Sequence, residues 1–222
     1  MKWLADDPAV KARLLEVASS HGKGAAAQER SVRALMALEG KVGKGELDQV
    51  MALALDESNP MRLRDYAFDR VGDIRSPEAL PKLWPLVQQS SKEKQRLRWR
   101  AGELVLAIGG SSVVGNFFAK LPADAGYAPE ELEGYATRMG QMTPLPTTTV
   151  RGQLNSGSWW NRVIALRFFE RKGSKDDLKR MKSLAGDGAK VKGPRWGKLK
   201  TVGQVAKEAH QSASDRLQGK SK

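Results

Sequence analysis

The stretch "LRWRAGELVLAIGGSS", Leu97 to Ser112, decides the fold. Leu97, Ala101, Leu104, Val105 and Ile108 recur at helical spacing and share one face. Arg98, Arg100 and Glu103 fall mostly on the other side. Gly109 and Gly110 can adopt the left-handed backbone that ends a helix. The spacing predicts a two-sided helix with a sharp stop, burying Leu104, Val105 and Ile108.

The same layout comes round again. Laid along the chain, the stretch matches "WNRVIALRFFERKGSKDDLKRMKSL" from Trp160, where Ala165, Leu166 and Phe169 are the expected core. Arg98 lies eleven residues before Gly109, and Arg162 eleven before Gly173. In both, a small polar turn follows, then a second apolar-periodic stretch. "MRLRDYAFDRVGDIRSPEALPKLWPLV" from Met61 and "SVRALMALEGKVGKGELDQVMALAL" from Ser31 share the plan, with Arg62 and Arg33 each ten residues before a glycine. These arginines are 29, 36 and 64 residues apart, and 64 is twice 32, so a degenerate unit is expected over 121–157. There "APEELEGYATRMGQM" and "TTTVRGQLN" can supply two helices, and "TPLPTTT" reads as an extended loop before the second. "WGKLKTVGQVAKEAHQSASDRLQG" is a sixth, weaker unit, within a basic helix and tail over 187–222. Pro8, Pro60, Pro77 and Pro129 sit near helix starts. Strand-like alternation is nearly absent.

This layout resembles the HEAT-repeat (armadillo-like) family, particularly the short bacterial form also found in phycobilin lyases. "RVGDIRSPEALPKLWPLV" and "LRWRAGELVLAIGGSSVV" carry the likeness, over most of residues 25–120 and 158–186. The resemblance implies a right-handed α-solenoid of about five to six degenerate helical hairpins, one domain over 1–222, serving as a scaffold for a protein or peptide. A second resemblance lies in "SWWNRVIALRFF", which is similar to the Trp-x-x-Arg helices of alkylpurine DNA glycosylases built from HEAT-like repeats. It implies Trp159 and Arg162 as residues facing DNA. Those enzymes also need an aspartate in the concave surface. Here no carboxylate follows the tryptophans until Glu170, which argues against glycosylase activity.

Charge points to the kind of partner. The 222 residues carry 38 Lys or Arg and 25 Asp or Glu, a net charge of +13. Residues 171–222 hold 15 of those cations and 5 of the acids, a net of +10. Such an excess suits an acidic protein, a nucleic acid or an anionic surface, or is a solvated tail. With no cysteine there is no disulfide, thiolate metal site or cysteine nucleophile. No apolar run approaches the roughly 18 residues of a membrane span. The opening segment has acids where a signal peptide needs apolar residues, so a cytoplasmic monomer, or a domain of a larger protein, is expected.

No catalytic constellation, cofactor motif or metal-ligand spacing emerges. His21 and His210 are far apart and read as surface residues. The lysines of "GKGAAAQERS" and "VGKGEL" lack the form of a phosphate loop. The paired acids in "LADD", "ALDES" and "SKDD" fit helix starts. What remains is a set of candidate ligand-binding residues: Arg62, Arg98, Trp99, Trp159, Trp160, Arg162, Arg195 and Trp196. The repeat arginines either bond helix-end carbonyls or a neighbouring acid, or form a ladder of cations along one surface. The six tryptophans, Trp3 and Trp84 among them, either pack helices or offer rings to a ligand. Of the adjacent Trp159 and Trp160, about 100° apart on a helix, one is expected in the core and one at the rim.

Overall fold

The chain enters its first helix at Pro8, whose missing N–H costs nothing there, and the Asp7 carboxylate accepts from the Ala9 and Val10 amides. In the computed structural model, residues 6–20, 24–123 and 125–220 are described. Trp3 and His21 lie outside them. The described residues are all-helical, with one isolated bridge between Lys190 and Thr201 and no strand. They divide into two compact units, Met1–Leu83 and Trp84–Lys222.

The first unit holds α1 (Pro8–Ser19), α2 (Ala25–Ala37), α3 (Leu47–Leu55) and α4 (Met61–Ile74). The division falls inside α5 (Leu80–Val87). Helix α3 packs on α4, α1 on α2 and α3, and α2 on α4. Leu35, Leu38, Val50, Met51, Ala67, Phe68 and Val71 are fully buried between them. Buried polar groups here close the helix ends. Asn59 donates to the Leu53 carbonyl at 3.1 Å, Arg64 to Ala54 at 3.0 Å and Arg70 to Leu35 at 2.9 Å.

The second unit holds α6 (Gln95–Gly109), α7 (Val114–Lys120), α8 (Pro129–Gly140), α9 (Thr147–Gln153), α10 (Trp159–Lys172), α11 (Lys175–Ser183) and α12 (Val202–Leu217). Helix α8 packs on both α6 and α10, and α12 on α10, so the even-numbered helices form one layer. Helix α7 packs on α6 and α9, and α11 on α10 and α12. Val105, Leu106, Phe117, Tyr135, Ile164, Leu166, Phe168 and Phe169 fill the space between. From Gln95 to Lys120 the helical run is long and apolar enough, by length and composition, to cross a membrane. Its apolar side chains Leu97, Leu104, Val105, Leu106, Phe117 and Phe118 are packed inside the second unit.

Helices stand where the spacing predicts them, and of the successive helices expected to pair, α6 packs on α7 and α10 on α11. Several details differ. Ile108, one residue before the end of α6, is only half-buried, while Leu106 is fully buried. Thr147, Thr148 and Thr149 of "TPLPTTT" are helical, with Pro146 at the N-cap position of α9 and a first turn that tolerates β-branched residues. The final segment has one helix, preceded by an irregular loop over 187–201. It is no free tail: Val202, Val205, Ala206, Ala209 and Ala213 are buried, and Arg216 donates to the carbonyls of Glu170 and Gly173.

Candidate binding surface

The repeat arginine occupies the fourth position of a helix and closes the end of the previous one. Arg64, Arg98 and Arg162 are the fourth residues of α4, α6 and α10. Arg64 donates to Ala54, Arg98 to Gln89 at 2.9 Å, and Arg162 to Ser156. In the repeat from Met61 the position therefore belongs to Arg64, not Arg62. Arg62 is exposed and pairs with Glu29 at 2.7 Å, as does Arg33 at 3.1 Å.

Arg98 was expected away from the core face, yet it is fully buried. Its guanidinium donates to both carboxylate oxygens of Glu131 on α8, at 2.8 and 2.9 Å. Glu131 also accepts from the Tyr135 hydroxyl at 3.0 Å and the Gln95 amide at 3.3 Å. Burial works against the Arg98 charge, but the bonds to Glu131 and its field more than offset this and hold the pKa above its usual value. Burial pushes the Tyr127 and Tyr135 phenols up. With its donors committed, Arg98 holds α6 to α8 and offers nothing to a ligand.

The tryptophans of α10 are both inside. Trp159 and Trp160 are 8% and 9% exposed, because Tyr127 and Trp196 cover the rim where one ring was expected to stand free. Tyr127 stacks on Trp160 at 5.8 Å and meets Trp159 edge-on, and Trp196 meets Trp159 edge-on at 5.7 Å. The Arg98 guanidinium lies 4.7 Å over the Tyr127 ring. Trp196 donates its indole N–H to the Tyr127 carbonyl at 2.9 Å. Arg162, at the other end of the 187–201 loop, pairs with Asp187 at 2.8 Å. Trp159, Trp160, Arg162 and Trp196 thus fasten this loop to the helices.

Trp99 and Arg195 are brought together at the surface. They line a recess of about 530 Å³ with Gln95, Arg96, Arg100 and Glu103. Trp99 is half-buried against α8, where Gly134 leaves it room: a Cβ there would stand 2.8 Å from the indole nitrogen. That nitrogen is buried with no hydrogen-bond partner. A second recess of about 470 Å³ adjoins the first through Glu103 and is lined also by Glu130, Glu133, Gly134 and Arg138. The surface is mixed in sign. Arg100 faces Glu103 at 3.7 Å, Arg195 faces Glu130 at 3.4 Å, Arg171 pairs with Glu133, and Arg167 pairs with Glu170 and Glu208. Of these, the bridge of Arg195 to Glu130 is open to water, and such a pair contributes only about 0–1 kcal/mol, so a ligand can exchange it at little cost.

Of the eight candidates, four fasten the loop, Arg98 joins two helices, Arg62 lies in the first unit, and Trp99 and Arg195 share a recess. Nothing in the sequence singles out Gln95, Arg96, Glu103 and Glu130, because polar residues on a helix carry no mark of a shared surface. Glu131 carried a usable signal, one repeat length after Arg98. Among the described residues, no cluster of His, Asp or Glu has the makings of a metal site. Compared with protein-family models, curated proteins and solved structures, the chain matches none at a significant level.

Proposed function

We propose that the helix pairs of each unit stack as a right-handed, HEAT-like α-solenoid, and that the chain is a non-catalytic scaffold whose second unit binds a protein or peptide. The mixed-sign surface around Trp99 carries this reading. A nucleic-acid groove needs a continuous run of cations facing phosphates. Here the glutamates of α8 interrupt the arginines, Glu133 pairing with Arg171 and Glu130 with Arg195, and Arg98 and Arg162 are committed to the protein itself. Charge favours an acid-bearing partner. Residues 84–222 hold 25 Lys or Arg and 12 Asp or Glu, leaving 13 of each for residues 1–83. The second unit therefore carries the whole net charge of +13, and the first carries none.

Panning a display library of random dodecapeptides at 0.15 M salt, with single-stranded DNA as competitor, tests the reading. The expected result is enrichment of peptides that compete with one another for one site and resist the DNA. Failure to enrich any sequence, or displacement of every enriched peptide by DNA, overturns it.

A further inference from the structure

The two recesses beside Trp99 carry opposite charge, and a strained residue is spent on one of them. Three arginines and one glutamate line the first, and three glutamates and one arginine line the second. Glu103 belongs to both. Trp99 lines the first, and its buried indole nitrogen packs beside Gly134, which lines the second.

Arg195 is the residue under strain. It sits at φ 65°, in the left-handed region that costs a side chain energy and that Gly193 and Gly197 adopt on either side. Glycine would suit position 195 better on backbone grounds. Neighbouring Trp196 is pinned to Tyr127, and a Cβ at Gly193 would stand 2.2 Å from the Tyr127 carbonyl oxygen. The loop is thus held from both sides while the exposed Arg195 side chain is delivered into the recess. Its bridge to Glu130 is long at 3.4 Å, and a tight structural bridge is a poor account of the strain.

We propose that the two recesses form one bipartite site for a peptide segment that carries an acidic side chain and a basic side chain close together. The acid enters the arginine recess and meets Arg195, Arg96 and Arg100. The base enters the recess of Glu103, Glu130 and Glu133. Each ligand charge replaces one side of an exposed bridge, so the site stays balanced when filled. This inference rests on the reading of the second unit as a peptide-binding surface and specifies which peptides it takes.

The test is fluorescence anisotropy at 0.15 M salt with four labelled probes of similar length: a peptide of three glutamates and three lysines around two glycines, an oligoglutamate, an oligolysine, and a single-stranded DNA. The dipolar peptide should bind at least ten-fold more tightly than either homopolymer. Arg195→Gly should weaken it at least ten-fold while the melting temperature holds or rises, since glycine relieves the backbone. Arg96→Glu should weaken it as well, with unchanged circular dichroism. Oligoglutamate binding as tightly as the dipolar peptide removes the acidic recess and overturns the bipartite site while leaving peptide binding in place. DNA binding that is tightest of the four and lost in Arg195→Gly overturns both. Arg195→Gly that lowers the melting temperature and leaves affinity unchanged shows Arg195 to be structural and overturns the assignment.

Discussion

Arg98 of α6 and Glu131 of α8 share two parallel hydrogen bonds, with both side chains shut away from water. They stand one repeat apart in sequence and join successive even-numbered helices. Breaking such a pair is costly because the remaining charge stays buried without its partner. Arg98→Ala should destabilise the protein by about 3–5 kcal/mol, read by urea unfolding. Replacing both residues with apolar ones, as in Arg98→Met with Glu131→Leu, should cost much less than the single change. A single variant within about 1 kcal/mol of the parent would show that water reaches the pair.

Leucine truncation tests the facing of α6. Leu106 is fully buried and Ile108 half-buried. Leu106→Ala should cost roughly 2–5 kcal/mol, the range for a packed leucine. Ile108→Ala should cost clearly less. The reverse order, measured in the same urea series, would rotate the helix.

Acid stability tests α9 against α11. The Asp177 carboxylate is 2% exposed, accepts from Arg151 at 2.8 Å and from the Ser174 amide and hydroxyl at 2.9 and 2.8 Å. Burial alone would raise its pKa, but these bonds outweigh it and hold the group below its ordinary 3.8. The unfolded chain therefore takes up the proton first. The stabilisation is fully present above the unfolded value and disappears as pH falls through the folded one. The parent should lose melting temperature between pH 5 and pH 2 more steeply than Asp177→Asn. Glu29 and Glu46 are also lowered, so the variant should flatten the acid limb without abolishing it. Parallel limbs would mean Asp177 carries no coupled proton.

How far the sequence could be read follows from which signals are local. The helices are legible because apolar spacing, glycine stops and proline starts are set within a few residues. Arg62 and Arg64 fall within one turn, and only the helix start shows that Arg64 holds the repeat position. Arg98 was read as outward because an arginine's burial depends on finding Glu131, a partner given by packing. The tryptophan pair was read as half-exposed because the Tyr127 and Trp196 rings arrive from distant segments. The recess stayed hidden for the same reason: Trp99 and Arg195 meet only after the loop folds back.

The loop that delivers Arg195 should be protease-resistant only while it is pinned. Gly193 holds φ 143° with its Cα against the Tyr127 carbonyl, and the Trp196 indole bonds the same oxygen. Trp196→Ala removes that bond and the edge contact with Trp159. Trypsin should then cut at Lys190, Lys192 or Lys198 at least ten times faster than in the parent, with α12 still helical. Equal cutting rates would show that Trp196 does not hold the loop. Local opening of this kind draws on few contacts, so it precedes global unfolding.

Nucleic-acid titration separates the remaining roles of Arg162. Its guanidinium is bound to the Ser156 carbonyl and paired with Asp187, so no phosphate can take it without breaking the loop's anchor. A chain with +13 net charge will still attract DNA at low salt. Such attraction should fade by about 0.2 M salt, where screening shortens the reach of surface charge to about 7 Å. Arg162→Ala should leave the slope of log affinity against log salt unchanged, because slope counts phosphates neutralised and Arg162 neutralises none. It should instead lower the melting temperature, since Asp187 loses its partner and the Ser156 carbonyl its donor. A variant that binds DNA with a slope smaller by about one unit, and melts like the parent, would place Arg162 on a phosphate and move the second unit from peptide to nucleic acid.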